Sequence, residues 1–272
     1  MLPERTQHES SSMTEGIQAT AQGMGNGKWD QVTKWLGPID LHYHFRSKPL
    51  LKYFARQSPD RSIRVLEFGC GEGANLFAIQ SRLPAMTGLG VDIDQTSINK
   101  ARSIAAQKAT HRLAFLCADS MNDSDVKPAS FDYALLIDVL EHLKDPGALL
   151  SDIDSLLTPD GTILVSVPTH RYPRVFGREF HNAVGHVRDG FTMDELDGLL
   201  GTSYERIQSS YNTGLVAGAA CACFYRLIPK IRFRKVAILG IIGLHLARLA
   251  DFFNGESISC SIWAVYRRRD RR

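Results

Sequence analysis

The stretch Val65-Leu-Glu-Phe-Gly-Cys-Gly-Glu-Gly73 decides the fold of this chain. It begins inside an apolar run over 64–68 that is typical of a short buried β-strand, and the glycines that follow mark a tight turn. Residues 74–83 then have helical character. Glycine in such a turn also lets a ligand approach the backbone where a Cβ atom would block it. This order of strand, glycine-rich turn and helix predicts a βα unit with a ligand at the turn.

The alternation of strand and helix continues along the chain. Further strands are predicted over 87–93, 113–117, 131–137 and 162–167. Further helices are predicted over 95–108 and 146–157, the second with its leucines and isoleucine on one face. Thr158-Pro-Asp-Gly161, between the second of these helices and the strand over 162–167, is predicted as a turn. Short strands separated by helices predict an α/β fold with a doubly wound, mostly parallel sheet flanked by helices.

The composition argues against several classes of protein. The chain has 272 residues, of which 44% are hydrophobic and 22% charged, as in an ordinary globular protein with a substantial core. A net charge of +3 and the lack of interleaved aromatic and basic residues argue against a nucleic-acid partner. Five cysteines without a CxxC pair indicate neither a disulfide framework nor a zinc ribbon, and reduced thiols fit a cytoplasmic protein best.

Carboxylates follow the predicted strands at the edge of the sheet where ligands bind in this fold class. Asp92 lies about 20 residues after the glycine-rich turn, where a carboxylate can accept hydrogen bonds from both hydroxyls of a ribose. Asp119 follows the next strand and suits the exocyclic amino group of adenine. Asp138 follows the fourth strand and leads into Glu141-His142. Packing does not explain polar residues at the ends of consecutive strands, so they predict a nucleoside-binding site.

Five stretches of the chain together resemble the class I S-adenosylmethionine-dependent methyltransferase family, of the type that acts on small molecules. They are VLEFGCGEG, GVDID, ADS, FDYALLIDVLEHL and LLTPDGTILVSVP, in this order between roughly residues 60 and 170. The resemblance implies S-adenosyl-L-methionine as the cofactor. It also implies strands over 204–211 and 257–267 that complete a seven-stranded sheet, with a helical insertion between these last two strands.

The resemblance further implies which residues bind the cofactor. Glu67 and the glycines would line its methionine end, Asp92 would hold the ribose, and Ile93 would pack on the adenine. Asp119 and Ser120 would border the adenine, and the aspartate after the fourth strand would face the methionine portion or the reaction centre. The complete implied set is Glu67, Gly69, Cys70, Gly71, Gly73, Asp92, Ile93, Asp119, Ser120 and Asp138.

The chemistry of the turn favours a methyl-donor cofactor over a dinucleotide. Glu67 and Glu72 bracket Gly69 and Gly71, and these acidic groups suit a ligand with a cationic sulfonium and an amino group better than a pyrophosphate, which binds at a helix N-terminus with few acidic groups nearby. The pattern GxxxxGK[ST] is absent, which argues against hydrolysis of nucleoside triphosphates. Two alternatives stay open: a nicotinamide-dependent oxidoreductase, and a non-catalytic module that binds the cofactor and regulates a partner.

The segment after Pro168 leaves the fifth strand at its carboxyl end, so we expect it to bind the acceptor. The predicted substrate-binding residues are His170, Tyr172, His181 and Arg188. His186 is the first candidate for a catalytic base and His142 the second, because an imidazole titrates near neutral pH. Thr192 and Glu195 have the spacing of a capping box at the start of a helix.

The predicted reaction is methylation of a small-molecule acceptor at an oxygen atom, the acceptor carrying a polar head and, in one version, a lipophilic or lipid-linked tail. In ubiquinone-pathway O-methyltransferases a similar E-x-x-E-H stretch can hold a divalent cation, and Asp138, Glu141 and His142 occupy that spacing here. Aspartate in place of the first glutamate shortens the reach of the carboxylate. No metal is therefore predicted, and a metal at these three residues is the alternative.

Two apolar stretches, 215–228 and 236–250, form the predicted insertion, and each is shorter than the roughly 20 residues that span a bilayer. A basic cluster between them consists of Arg226, Lys230, Arg232, Arg234 and Lys235. The stretches are either buried cover helices with a solvated basic turn, or a lid for a lipid-like substrate that contacts an anionic membrane through 226–235. The predicted location is the cytoplasm, with peripheral contact at the inner face of a membrane under the second alternative.

The expected domain organisation has four parts. Residues 1–30 are predicted to be a disordered leader, since they lack both apolar periodicity and the apolar core of a secretory signal. A helical cover over 31–58 and the cofactor-binding α/β core over 59–170 follow. Residues 171–272 hold the acceptor-binding segment, the helical insertion and the closing strands, and they end in an arginine-rich tail expected to be solvated. The sequence predicts no particular oligomeric state.

Overall fold

A single seven-stranded sheet organises the protein in the computed structural model, which describes residues 41–120, 126–201, 203–227 and 254–269. The strands are β1 (Arg64–Phe68), β2 (Thr87–Asp92), β3 (Leu113–Cys117), β4 (Phe131–Ile137), β5 (Leu157–Pro168), β6 (Tyr204–Asn212) and β7 (Ser261–Arg268). Their order across the sheet is β3-β2-β1-β4-β5-β7-β6. The order reverses between β1 and β4, which is where a doubly wound sheet opens a crevice for a ligand.

Helices connect and cover these strands. Numbered along the described residues, they are α1 (Leu41–Phe54), α2 (Ala74–Gln80), α3 (Gln95–Gln107), α4 (Pro146–Leu156), α5 (Tyr172–Phe176), α6 (Arg178–Ala183), α7 (Met193–Leu200) and α8 (Leu215–Leu227). A short 3-10 turn, Leu140–His142, follows β4. The predicted α/β architecture is confirmed, and α8 lies between β6 and β7, where the insertion was expected.

The sheet is parallel from β3 to β5 and ends in one antiparallel hairpin. At one end of the hairpin the Arg269 N–H donates to the Ser203 carbonyl at 2.9 Å, and at the other the Cys260 N–H donates to the Thr213 carbonyl at 2.9 Å. These pairings run in opposite chain directions, so β6 and β7 are antiparallel. β7 begins at Ser261 rather than at 257, because the Ser259 N–H donates back to the Gly255 carbonyl at 3.0 Å and closes a turn there.

The core lies between the sheet and its covering helices. β1 is buried from Val65 to Phe68, as expected for a central strand of a parallel sheet. Phe54 of α1 packs edge-on against Tyr133 of β4, with ring centroids 5.2 Å apart. The predicted apolar face of α4 is confirmed, and its buried residues are Pro146, Leu149, Leu150, Ile153 and Leu156. The side chain of Asp145 accepts a 3.0 Å hydrogen bond from the Gly147 N–H and so caps this helix.

The predicted turn at Thr158-Pro-Asp-Gly161 lies inside β5. Leu157 pairs with Phe131 of β4, and the next paired residue of β5, Thr162, faces Tyr133, so residues 158–161 bulge out of the ladder. A Cβ atom on Gly161 would come within 2.7 Å of the Leu157 Cβ atom, which shows how tightly the bulge folds back. Residues 158–161 have the types that are typical of a turn, but here they form a bulge within a strand.

The arginine-rich tail is not wholly solvated. The Arg268 side chain is only 10% exposed and donates to the Asp154 carboxylate at 2.6 Å. It also donates to the carbonyls of Leu157 at 3.2 Å and Thr158 at 3.1 Å, just beyond the C-terminus of α4. It donates as well to the Asp154 carbonyl in the last turn of α4, where helix carbonyls have no partner inside the helix. Residues 270–272 lie outside the described part of the chain.

The chain divides into two compact units. The larger takes in Arg46–Val167, Phe191–Ser210 and the residues from Ile262 onward. The smaller takes in Met1–Phe45, Pro168–Gly190 and Tyr211–Ser261. The described residues of the smaller unit have an apolar cluster of their own, formed by Tyr172, Phe176, Ala217, Ala222 and Cys260.

Several predictions concern residues outside the described ranges. They are the leader over 1–30, the first part of the helical cover over 31–40, the second apolar stretch over 236–250, and the part of the basic cluster from Lys230 to Lys235. The membrane contact through 226–235 therefore stays a prediction. Among the described residues, we find no helix with the length and apolar character needed to cross a bilayer.

Candidate active site

The turn between β1 and α2 holds three glycines in the left-handed region of backbone space. Their φ angles are 67° for Gly69, 51° for Gly71 and 80° for Gly73, which side chains rarely tolerate. A Cβ atom on Gly69 would lie 2.5 Å from a methyl of Val139, and one on Gly73 would lie 2.6 Å from the Phe115 ring. A Cβ atom on Gly71 would meet no atom within 4 Å. The turn is thus packed at both ends and open in the middle, as a cradle for a ligand requires.

Asp92, at the end of β2, holds this turn in place. One oxygen of its carboxylate accepts a 2.7 Å hydrogen bond from the Gly71 N–H, and the other accepts a 2.9 Å bond from the Asp94 N–H. The Cys70 N–H donates to the Val91 carbonyl at 3.1 Å beside it. A carboxylate oxygen has more than one lone pair, so Asp92 retains acceptor capacity for a ligand hydroxyl.

Glu67, the last but one residue of β1, is buried beneath the same turn with an exposed fraction of 1%. One carboxylate oxygen accepts a 2.7 Å hydrogen bond from the side-chain amide of Asn75, and the other is buried without a hydrogen-bond partner. Burial raises the pKa of Glu67 to about 8; the charge of Asp92 acts in the same direction, and the bond from Asn75 opposes it. A cationic group placed beside Glu67 would stabilise the ionised carboxylate.

Asn75 and Ser47 are site residues that the sequence did not indicate. The Ser47 hydroxyl, on α1, donates a 2.9 Å hydrogen bond to the side-chain carbonyl of Asn75, on α2. Ser47 is buried, with 2% of its surface exposed. A polar residue in the first turn of the helix after a glycine-rich turn is a signal that could have pointed to Asn75. Nothing in the pattern around Ser47 distinguishes it from a surface serine.

The predicted adenine-binding residues lie on neighbouring strand ends. Asp92 is paired in the sheet with Cys117, so the residues that follow β2 and β3 share one edge. Ile93 is 61% exposed, which is unusual for a large apolar side chain and leaves it available to a planar ligand. Asp119 is exposed and Ser120 half-buried two and three residues beyond Cys117. The structure thus brings the predicted ribose and adenine contacts to one edge.

Asp138 follows β4 directly and has a φ angle of 55°, in the left-handed region. Its N–H donates a 2.8 Å hydrogen bond to the Ser166 carbonyl of β5, which fixes this unusual backbone conformation. Glu141 in the following 3-10 turn is fully buried, and the His142 N–H donates to the Val139 carbonyl at 3.0 Å. Residues in rare backbone conformations are often found at functional sites.

The predicted acceptor segment is folded around His181 in the smaller unit. This histidine is 3% exposed, with one ring nitrogen 3.0 Å from the Arg188 carbonyl and the other 3.3 Å from the Asn182 side chain. Arg178 forms a bidentate pair with Asp189, at 2.5 and 2.8 Å, which holds the pKa of that carboxyl below its usual value. His181 therefore ties α6 to the loop that carries Arg188.

His186 packs against two other predicted residues of the same unit. Its ring centroid is 5.2 Å from that of Tyr172 and 4.9 Å from that of His181. Tyr172 in turn stacks on Phe176 at 4.5 Å and is buried. His170, by contrast, is exposed two residues after the end of β5. The structure therefore gathers Tyr172, His181 and His186 into one cluster.

The capping box predicted at the start of α7 is also confirmed, with both of its hydrogen bonds between Thr192 and Glu195 present.

Comparison with known proteins decides the family. A family model described as "Methyltransferase domain" matches residues 42–202, more than half of the chain. The chain belongs to the methyltransferase family. This membership confirms the resemblance to class I S-adenosylmethionine-dependent methyltransferases and selects the methyl-donor interpretation over the nicotinamide one.

Curated methyltransferases from bacteria align with the same region. The chain is 30% identical over 156 residues to the ubiquinone biosynthesis O-methyltransferase of Neisseria meningitidis serogroup C, an alignment that covers 57% of this methyltransferase and 63% of that protein. It is 30% identical over 138 residues to the trans-aconitate 2-methyltransferase of Escherichia coli, which covers 50% of this chain and 52% of that protein. The chain thus spans less than two thirds of either relative.

Solved structures share the architecture. Phosphoethanolamine N-methyltransferase 2 of Haemonchus contortus, in complex with S-adenosyl-L-methionine, has a TM-score of 0.59 at 18% identity and matches 82% of this chain and 52% of its own. The [4+2]-cyclase SpnF has a TM-score of 0.58 at 18% identity, with 81% and 80% covered. At this level of identity both likenesses show the fold of the methyltransferase and nothing of its substrate.

Proposed function

We propose that this methyltransferase binds S-adenosyl-L-methionine and transfers its methyl group to an oxygen atom of a small-molecule acceptor. The observation that carries the proposal is that two carboxylates, Glu67 and Asp92, lie beside a glycine turn that is open at Gly71. Carboxylates and bare backbone suit a nucleoside that carries a cationic sulfonium and an amino group. The family membership and the names of the aligned relatives support the same reaction class.

The residues around the turn have separate roles in this binding. The sulfonium cofactor supplies an electrophilic methyl group with a neutral leaving group. Asp92 accepts hydrogen bonds from the ribose hydroxyls while it holds Gly71. Glu67 compensates the positive charge of the methionine end from its buried position. Ile93 covers one face of the adenine, and the remaining predicted contacts, Asp119 and Ser120, border its edge.

Transfer to oxygen requires alignment first and a base second. Alignment of two bound reactants corresponds to effective molarities on the order of 10⁵–10⁸ M, whereas a positioned base adds about 10²–10⁴-fold. His186 and His142 are the proposed bases, and His170, Tyr172 and Arg188 the proposed acceptor contacts. His181 acts through Arg188, whose carbonyl it contacts.

Transfer to oxygen, rather than to nitrogen or carbon, rests on the relatives' names. One of them is an O-methyltransferase of ubiquinone biosynthesis, and the other acts on trans-aconitate. The apolar stretch that forms α8 supports an acceptor with a lipophilic part. We therefore propose a polar, oxygen-bearing head and a lipophilic or lipid-linked tail as the acceptor class.

Two measurements test the proposal. Isothermal titration calorimetry with S-adenosylmethionine and S-adenosylhomocysteine should give one saturable site, and absence of binding to the wild type would reject it. Incubation of the full-length protein with cofactor labelled in the methyl group and a cell extract of lipids and metabolites should then label an extractable small molecule. Cofactor binding without any transfer would favour the non-catalytic module instead.

A further inference from the structure

Three polar side chains form a continuous chain of hydrogen bonds from the N-terminal helix to the cofactor turn. The Ser47 hydroxyl of α1 donates to the side-chain carbonyl of Asn75 at 2.9 Å, and the Asn75 amide donates to Glu67 at 2.7 Å. Each contact links a different element: α1 to α2, and α2 to β1. In this arrangement Asn75 donates to Glu67 and accepts from Ser47, which is the arrangement that favours the ionised form of Glu67.

We propose that Ser47 and Asn75 are positioning residues that couple the N-terminal helix to cofactor binding through Glu67. The inference rests on the proposed function, since it requires a cationic ligand at Glu67. Neither residue needs to touch the ligand. They act by deciding how readily the buried carboxylate is present in its ionised form.

Opposing influences meet at Glu67. Burial, with only 1% of its surface exposed, and the neighbouring Asp92 both favour the neutral acid and raise the pKa to about 8. The Asn75 amide and the backbone N–H of Leu76 favour the carboxylate. Another titratable neighbour among the described residues is the Cys70 thiol, whose own pKa burial raises, so that it adds no charge near neutral pH. A ligand cation would therefore shift Glu67 from the neutral acid to the carboxylate.

The coupling between cofactor binding and the hydrogen bonds of Asn75 and Ser47 is reciprocal. A cation beside Glu67 favours the carboxylate, and a hydrogen bond to a carboxylate is about twice as strong as one to a neutral acceptor. The bond from Asn75 is strengthened, and with it the bond that Ser47 makes to the other end of the same amide. By linkage, loss of the Ser47 hydroxyl must then weaken cofactor binding, although Ser47 lies on α1 and outside the glycine turn.

The test compares cofactor affinity by calorimetry in two pairs of variants of the full-length protein. Asn75→Leu removes a bond to a charged group and should weaken S-adenosylmethionine binding about tenfold. Ser47→Ala should weaken it about threefold, and Ser47→Thr, which keeps the hydroxyl, should restore most of the loss. The matched controls are Ser81→Ala and Asn99→Leu, which remove hydrogen bonds on exposed surfaces and should bind as the wild type does.

Two further readouts separate coupling from a merely structural role. Wild-type affinity should rise with pH until the pKa of Glu67 is passed and then level off, with a proton released on binding below that pH. Glu67→Gln should abolish both effects, and Asn75→Leu should move the levelling point to higher pH. In the Asn75→Leu background, Ser47→Ala should cause no further loss of cofactor affinity, because the hydrogen bond that connects Ser47 to Glu67 through Asn75 is already absent.

The possible outcomes are distinguishable. No binding to the wild type overturns the proposed function and this inference together. Wild-type binding with unchanged affinity and pH profile in Ser47→Ala and Asn75→Leu overturns the inference alone, as does a full additional loss in the double variant. Thermal unfolding of each variant checks the fold; if Asn75→Leu does not fold, the contrast of Ser47→Ala with Ser47→Thr decides.

Discussion

The backbone N–H of Gly71 donates a 2.7 Å hydrogen bond to the carboxylate of Asp92. This contact joins the turn after β1 to the end of the neighbouring strand β2, so the Asp92 side chain shapes the glycine turn. Asp94, two residues later, acts differently, because its carboxylate accepts from the N–H groups of Thr96 and Ser97 and caps α3. The two neighbouring carboxylates therefore differ in their contacts: Asp94 caps a helix, and Asp92 holds the glycine turn at which we propose that the cofactor binds.

Asp92→Ala is expected to weaken S-adenosylmethionine binding by about ten- to a hundredfold, because hydrogen bonds to a charged group are worth about 1.5–3 kcal/mol. Asp94→Ala is the matched control. It should lower the free energy of unfolding by about 1 kcal/mol through loss of the helix cap and leave cofactor affinity unchanged. Calorimetry and urea unfolding measure the two quantities. Equal affinities in both variants would remove Asp92 from the site.

Gly71→Ala and Gly73→Ala should differ in their effects on cofactor affinity and on the free energy of unfolding. Both place alanine in the left-handed region, at a cost of about 1–2 kcal/mol of stability. At Gly71 the new methyl group meets open space, so the main loss should be cofactor affinity. At Gly73 it would lie 2.6 Å from the Phe115 ring and 3.2 Å from Phe77, so the free energy of unfolding should fall further. A Gly71→Ala variant with wild-type cofactor affinity would show that the ligand does not use this opening.

The sequence predicts those features that depend on local pattern. The order of strands and helices, the glycine turn and the carboxylate after β2 follow from periodicity and residue type within short windows. The capping box between Thr192 and Glu195 is confirmed for the same reason, since its two partners lie within one helical turn. The bulge at 158–161 shows the limit of such patterns: residue types predict a turn, but the pairing with β4 decides that it lies inside β5.

Features that join distant parts of the chain were not predictable. Ser47 and Asn75 are 28 residues apart, and Arg268 and Asp154 are 114 residues apart. Serine, asparagine and arginine are common on surfaces, and only the packed fold brings these pairs together and covers them in part. The left-handed conformation of Asp138 is similar, because it depends on the carbonyl of Ser166 on the next strand.

His186→Ala is expected to lower kcat for methyl transfer by about 10²–10⁴-fold while cofactor affinity is retained, as for loss of a general base. His142→Ala should have the smaller effect of the two. His111→Ala, at an exposed histidine in the larger unit, is the control and should match the wild type. The assay follows the labelled methyl group into an acceptor found in the extract experiment. Full activity in both His186→Ala and His142→Ala would leave alignment alone to account for the transfer.

Glu67 should make the stability of the ligand-free protein depend on pH in a predictable direction. Its pKa is about 8 in the folded protein, because burial and the charge of Asp92 disfavour the carboxylate, against about 4.3 in an unfolded chain. Between these values the folded state binds more protons than the unfolded state, so the free energy of unfolding must fall as pH rises. The stabilising effect is complete below the unfolded pKa and lost above about pH 8. Each pKa unit corresponds to about 1.4 kcal/mol, so the change amounts to a few kcal/mol.

The comparison with Glu67→Gln isolates this contribution from the other titrating groups. Glutamine stays neutral at all pH values and has nearly the same shape, so urea unfolding of this variant should show a shallower fall in stability between about pH 5 and pH 8. A saturating concentration of S-adenosylmethionine should flatten the wild-type profile as well, since a cation beside Glu67 lowers its folded pKa toward the unfolded value. Parallel pH profiles for the wild type and Glu67→Gln would mean that the buried carboxylate is already ionised without a ligand. In that case the cofactor would meet a preformed negative charge rather than create one.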